Sequence, residues 1–192
     1  MGMHNELWFP TVIWSSLVHS VQLGSLKTLA YARKNNQSNQ SVLNEGGFTS
    51  TQLELGENYE LDKLMDMVNS EIDNCRKQVG IGRLALQDMW ININPPNSHV
   101  KPRVHPYSCF TGVFIIDAAK RGGNIQFERT DRGEYHIPSR IEENNYYNAT
   151  HAQYAARSGA LYVWPGWLRY NQSLNQGNTD QITLGFTYGE KA

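Results

Sequence analysis

Apolar side chains at Leu61, Leu64, Met65, Val68, Ile72, Cys75 and Val79 recur in steps of three and four, and Gly80 follows directly. That spacing lays them along one stripe of an α-helix, and a glycine is a natural stop because it adopts the left-handed conformation without steric cost; helix is predicted over 60–80. A weaker helical pattern runs through "LVHSVQLGSLKTLAYARKN", interrupted by Gly24, and "LWFPTVIW" at 7–14 predicts an opening strand. The polar, turn-rich "NNQSNQSVLNEGG" at 35–47 reads as a loop. From residue 83 the pattern changes to short β-branched and aromatic runs: "LALQDMWININ", "CFTGVFIID", "GGNIQFER", "GALYVWP" and "QITLGFTYG". Strands of that length, punctuated by Pro, Gly and Asn, predict an antiparallel sandwich or barrel. Helices followed by strands make the chain α+β and mainly β, with residues 1–82 supplying a strand and helices and residues 83–192 the β-core. The segment 130–158 is too long and polar for a hairpin turn and reads as an insertion at the barrel rim, where function concentrates.

Composition narrows the picture. At 192 residues the chain is expected to form one domain with a real core, needing neither disulfides nor a structural metal. Seventeen basic against 18 acidic residues leave a formal charge of −1, which gives no electrostatic footprint for nucleic acid or an anionic membrane. Cys75 and Cys109 are too few for a disulfide framework and read as reduced core thiols. The first residues lack a signal-peptide pattern and no window is apolar enough for a membrane span, so a soluble, cytoplasmic protein is expected. Gly122-Gly123 reads as a turn, not a phosphate loop, because no helix follows; Tyr162, Trp164 and Trp167 read as barrel wall.

Taken singly, His105 beside Pro106 is a weak signal. Taken in order, "WININPP", "KPRVHPYSCFTGVFII", "GGNIQFER", "SGALYVWPGWLRY" and "DQITLGFTY" form a series that resembles the Fe(II)/2-oxoglutarate oxygenases of phage and marine-bacterial type, relatives of the prolyl hydroxylases. "LWFPTVIW" and "GGFTSTQLEL" look like the beginning of the same branch, so the resemblance spans nearly the whole chain. It implies a double-stranded β-helix, a cupin-like jelly-roll with N-terminal helices packed on the barrel. It also implies Fe(II) held at the barrel mouth by His and carboxylate ligands, with 2-oxoglutarate clamped by an Arg whose planar fork matches a carboxylate.

Carried over by position, Trp90, Asn92, Asn94, Pro95 and Pro96 match the family lead-in, and Asn92 is a candidate for cosubstrate contact. Pro102 and His105-Pro106 match a His-x-His-Pro element whose first His is here Arg103. Trp164 through Arg169 match the Phe-Pro-Ser-Trp-Leu segment, and the distal His position is Tyr170. The 2-oxoglutarate Arg position is Gln181. Arg103 cannot offer a lone pair to iron, a neutral phenol is a poor Fe(II) ligand, and Gln181 carries no charged fork. His105 alone would hold a metal weakly; His99 is the first candidate to join it, with His136 and His151 of the insertion behind it.

The reading is therefore an oxygenase-superfamily protein of hydroxylase ancestry with a degraded iron and cosubstrate site, serving as a binding module. In it Arg103 plugs the old site next to Tyr170, within reach of Glu142 and Glu143. Two alternatives stand beside it: an active 2-oxoglutarate-dependent dioxygenase with a non-standard metal site, hydroxylating a small molecule or a protein side chain, and a phage structural or assembly component. A homodimer is left open; nucleic-acid and membrane partners are not expected.

Overall fold

The structure, a computed structural model, describes residue 4, residues 9–130 and residues 140–190. The predicted second helix is α2 (Tyr59–Val79). Asn58 caps its start, its Oδ1 accepting from the backbone N–H of Glu60 at 2.9 Å and Leu61 at 3.1 Å, and Gly80 ends it at φ 72°. The first helix, α1 (Leu23–Asn36), lacks a side-chain cap of its own. Instead the buried Glu60 of α2 accepts the Gln22 backbone N–H at 2.9 Å, tying the two helix starts together.

Among the described residues the strands are β1 (Trp14–Leu17), β2 (Asn44–Glu45), β3 (Phe48–Thr49), β4 (Leu84–Asn94), β5 (His99–Arg103), β6 (Phe110–Asp117), β7 (Ile125–Glu128), β8 (His151–Tyr154), β9 (Ala160–Pro165), β10 (Tyr170–Gln172) and β11 (Gln181–Glu190). They form a six-stranded sheet in the order β1-β9-β6-β11-β4-β3 and a five-stranded sheet in the order β2-β5-β10-β7-β8. Every pairing is antiparallel. The chain thus has the mainly β, jelly-roll architecture expected, although its opening strand starts at Trp14, where the expected one ends; residues 7 and 8 lie outside the described residues.

Two apolar cores follow from the layering. One joins the helices to the outer face of the larger sheet, through residues such as Leu26, Leu64, Val68, Ile91, Phe114 and Leu184. The other fills the space between the sheets, through Val113, Ile115, Phe127, Trp164 and Tyr170 among others. Strand β6 feeds both cores and so reads as a nearly continuous apolar run, whereas β11 alternates, with Ile182, Leu184, Phe186 and Tyr188 in the first core and Thr183, Gly185 and Thr187 on the face between the sheets. Cys75 is buried in the first core, whereas Cys109 is only half-buried, and Trp167 is exposed and not part of the barrel wall. No described helix is long and apolar enough to cross a membrane.

Strand β5 was not legible as a strand because Pro102 lacks a backbone N–H to donate into a ladder. The sheet absorbs it with a bulge: Tyr170 pairs with Arg103 while Gln172 pairs with Val100, so β5 carries one residue more than β10 over that interval. An extra residue inverts the alternation of faces. His99 and Lys101 consequently point outward to Glu45 of β2, Val100 is buried, and Arg103 turns back into the barrel.

Candidate functional site at the barrel mouth

Arg103 ends β5 and Tyr170 opens β10, so their register places them side by side at the rim. His105 follows in a tight turn held by its backbone N–H donating to Gly166 O at 3.1 Å and by the Ser108 hydroxyl donating to His105 O at 2.7 Å. The three side chains meet on one oxygen. Arg103 Nε donates to Tyr170 Oη at 3.0 Å, and His105 Nε2 lies 3.0 Å from the same oxygen.

The charges settle the direction of the second bond. Burial, helped by the Arg103 guanidinium, pushes the His105 imidazole down to about 4, so it is neutral near pH 7. Tyr170 is buried, accepts from Arg103, and has no other acceptor for its own proton among the described residues. Its O–H therefore donates to His105 Nε2, and Nδ1 carries the imidazole proton, a tautomer assigned from this donor pattern.

Aromatic packing fixes the group further. The His105 ring stacks on Trp90 at 5.1 Å and on Tyr170 at 5.8 Å between centroids, and the Arg103 guanidinium lies 5.5 Å from the Trp90 ring and 5.6 Å from that of Tyr170. Trp90 itself is pressed onto Gly185, its partner across β4 and β11. A Cβ at Gly185 would stand 2.5 Å from the indole, so only glycine lets the ring lie there.

Two spaces flank this cluster. Outside it is an open cleft of about 420 Å³, reached by Asp88, Trp90, Arg103 and His105 and rimmed by the 49–52 segment and Gln40. Inside is a cavity of about 10 Å³ lined by Asn92, Gln172, Thr183 and Gly185 together with Trp90 and Arg103. The inner cavity is large enough for a single water and no more. Trp90 Nε1, Gln172 Nε2 and Thr183 Oγ1 have no protein partner there, the kind of set that one such water would satisfy.

The remaining sequence candidates lie elsewhere or are already engaged. Asn92 lines the inner cavity, but its Oδ1 accepts from the Thr49 hydroxyl at 2.7 Å. Gln181 is fully buried and donates from Nε2 to Gly123 O at 2.8 Å, tying β11 to the Gly122-Gly123 turn. It lines neither space. His99 lies 3.3 Å from Glu45 Oε2. His151 is exposed against Thr150, and His136 lies outside the described residues. Glu142 and Glu143 are exposed and, among the described residues, form no ion pair with Arg103. No group of three or more His, Cys, Asp or Glu side chains suited to a metal ion occurs among the described residues.

Sequence reasoning missed Asp88. Burial raises its carboxyl pKa and leaves Oδ1 without a partner, although a backbone bond at Met89 opposes the shift. The available signal was an acid two residues before Trp90, the one charged residue in β4.

Comparison with known proteins agrees with this architecture. The family model described as "Putative 2OG-Fe(II) oxygenase" matches residues 88–187, which is 100 of the 192 residues. No curated protein matches the sequence. A Pseudomonas putida prolyl-4-hydroxylase superposes with a TM-score of 0.67 at 10% identity, over 94% of each chain. The collagen prolyl hydroxylase of Paramecium bursaria Chlorella virus-1, solved as a 2-oxoglutarate complex, gives 0.62 at 10% identity over 92% of this chain and 94% of that one. HygX from Streptomyces hygroscopicus, with nickel and 2-oxoglutarate bound, gives 0.59 at 9% identity over 94% of this chain and 84% of that one. The likeness to these structures is one of fold, and the family match runs from Asp88 at the cleft to Thr187 in β11, through every residue of the Arg103–Tyr170–His105 cluster: the chain belongs to the 2OG-Fe(II) oxygenase family.

Proposed function

We propose that this chain is a non-catalytic member of its family, a binding module in which an organic cation stands where the family holds iron. The observation that carries the reading is the shared hydrogen bonding of Arg103 and His105 on Tyr170 Oη, each at 3.0 Å. Family membership implies Fe(II) and 2-oxoglutarate, and the residues present do not fit them. His105 Nε2 is taken by the Tyr170 hydroxyl and Nδ1 holds the ring proton, so neither nitrogen offers a lone pair. A fixed positive charge in the cluster opposes a second one, at a cost that rises as water is excluded. Gln181 cannot clamp a carboxylate as a guanidinium does and is committed to Gly123, and the inner cavity admits only a water. What persists is the outer cleft, whose size lies within the ordinary range for small-molecule sites.

The test is anaerobic addition of Fe(II) and 2-oxoglutarate, read by visible absorption and thermal melting. Neither a charge-transfer band nor a rise in Tm is expected, because a ligand stabilises a fold only by binding it. A band, or a Tm that climbs with either addition, would overturn the reading and favour an oxygenase with a non-standard site. The triple variant Arg103→His, Tyr170→His and Gln181→Arg restores the family residue types, and metal binding gained by it would support loss of an ancestral site.

A further inference from the structure

The Arg103 guanidinium is held rigidly yet left without a counter-ion. Its Nε is spent on Tyr170, its face is set against the Trp90 and Tyr170 rings, and its other nitrogens have no hydrogen-bond partner among the described residues. The charge it most clearly acts on is His105, which is neutral. Asp88 shares the cleft but, among the described residues, forms no ion pair with Arg103. A half-buried guanidinium with free N–H groups, facing an open cleft, is a receptor for an oxyanion of planar geometry.

The rest of the cleft constrains what carries that anion. Apart from the Trp90 ring its lining residues are polar: exposed Gln40, Thr51 and Gln52 on the rim, with half-buried Asp88 deeper in. Gln40, Thr51 and Gln52 already bond to Ser38, Gln37 and Gln87 and turn their remaining valences to water, so an apolar body would strip that water away, whereas a body bearing several hydroxyls would replace it. The Asp88 carboxyl in the same cleft disfavours a second carboxylate on the ligand.

Resting on the metal-free reading above, we infer that the outer cleft binds a polyhydroxylated monocarboxylate of the sugar-acid type, with its carboxylate on Arg103 and its hydroxyls toward Asp88, Gln40, Thr51 and Gln52. The site neither needs nor uses a metal. Arg103 thus does more than fill a vacated position: it converts a cation-holding barrel mouth into an anion-holding one.

The experiment titrates D-glucuronate against D-glucuronamide, which differ only in carboxylate versus neutral amide. The full chain is followed by the Trp90 indole N–H resonance and by Tm. Glucuronate is expected to shift the indole saturably and raise Tm, and glucuronamide to bind at least about ten-fold more weakly, the loss of one charge-assisted pair. In Arg103→Gln the two ligands should become equivalent. Equal responses in the wild-type chain, or none to glucuronate, overturn the inference without needing any variant to fold. A parallel Fe(II) titration separates the two levels: iron at His105 overturns the metal-free reading and this inference with it. Absence of both iron and glucuronate binding overturns this inference alone.

Discussion

Arg103 Nε donates to Tyr170 Oη at 3.0 Å between two residues paired across β5 and β10, at the positions where the family resemblance sets two iron ligands. Tyr170→Phe deletes this bond and the one to His105 together and leaves a half-buried guanidinium nitrogen without its acceptor. A loss of roughly 1–3 kcal/mol is expected, measured by urea unfolding. A double-mutant cycle with Arg103→Met should show coupling of roughly 0.5–3 kcal/mol, as for residues in one hydrogen-bond network. Additive effects would mean that the contact carries no energy.

His105 supplies a pH signature. Its folded value near 4 lies below the ordinary 6.5, so between those two pH values the unfolded chain takes up a proton that the folded chain refuses. Stability should be unaffected by this group above pH 6.5, fall as pH drops from 6.5 toward 4, and lose no more below that, a total on the order of 3 kcal/mol. NMR titration of the His105 ring gives the folded value directly. In Arg103→Met it should rise, because a like charge has been removed, while staying below 6.5 because burial is the larger cause.

Gly185 makes room for the Trp90 ring, and a methyl group there would meet the indole at 2.5 Å. Gly185→Ala should destabilise the fold by about 1–3 kcal/mol, the usual range for overpacking a filled core. Because Trp90 forms one wall of the His105 and Arg103 cluster, the same variant should also shift the His105 ring resonances. Unchanged resonances would separate the indole from the site.

Gln181→Arg by itself should confer no 2-oxoglutarate binding. The position is fully buried against the Gly122-Gly123 turn, where a Cβ on Gly122 would already stand 1.9 Å from Gln181 Oε1. A longer, charged side chain there should lower Tm, and calorimetry with 2-oxoglutarate should stay flat. Binding gained by this one change would show that the cosubstrate space is intact.

What the sequence made legible follows from how local each signal is. The end of α2 and the whole of β4 were readable because periodicity, Gly80 and a short run rich in aliphatic and aromatic residues closed by Pro95 act within a few residues, whereas the Asn58 cap was not picked out. Strand β5 was hidden by Pro102, since the bulge that accommodates it exists only in pairing with β10. The same bulge decides the chemistry. It sends His99 outward to Glu45 and Arg103 inward to Tyr170, so sequence spacing alone could offer His99 as a partner for His105 and the sheet could decline it. Adjacency of Arg103 and Tyr170 was foreseeable from the family resemblance, but their expected acidic partners Glu142 and Glu143 were not found beside them. The tie from Gln181 to Gly123 depends on a turn 58 residues away in sequence and has no local signature.

The central claim is that the His105 imidazole is occupied by Tyr170 and unavailable to iron. The most direct measurement is an anaerobic Fe(II) titration of the full chain followed through the His105 ring resonances, which a metal bound at that ring would broaden or displace. The account predicts that they stay sharp and unmoved at pH 7 through millimolar Fe(II), with or without 2-oxoglutarate. Selective broadening of the His105 ring at stoichiometric iron would contradict it.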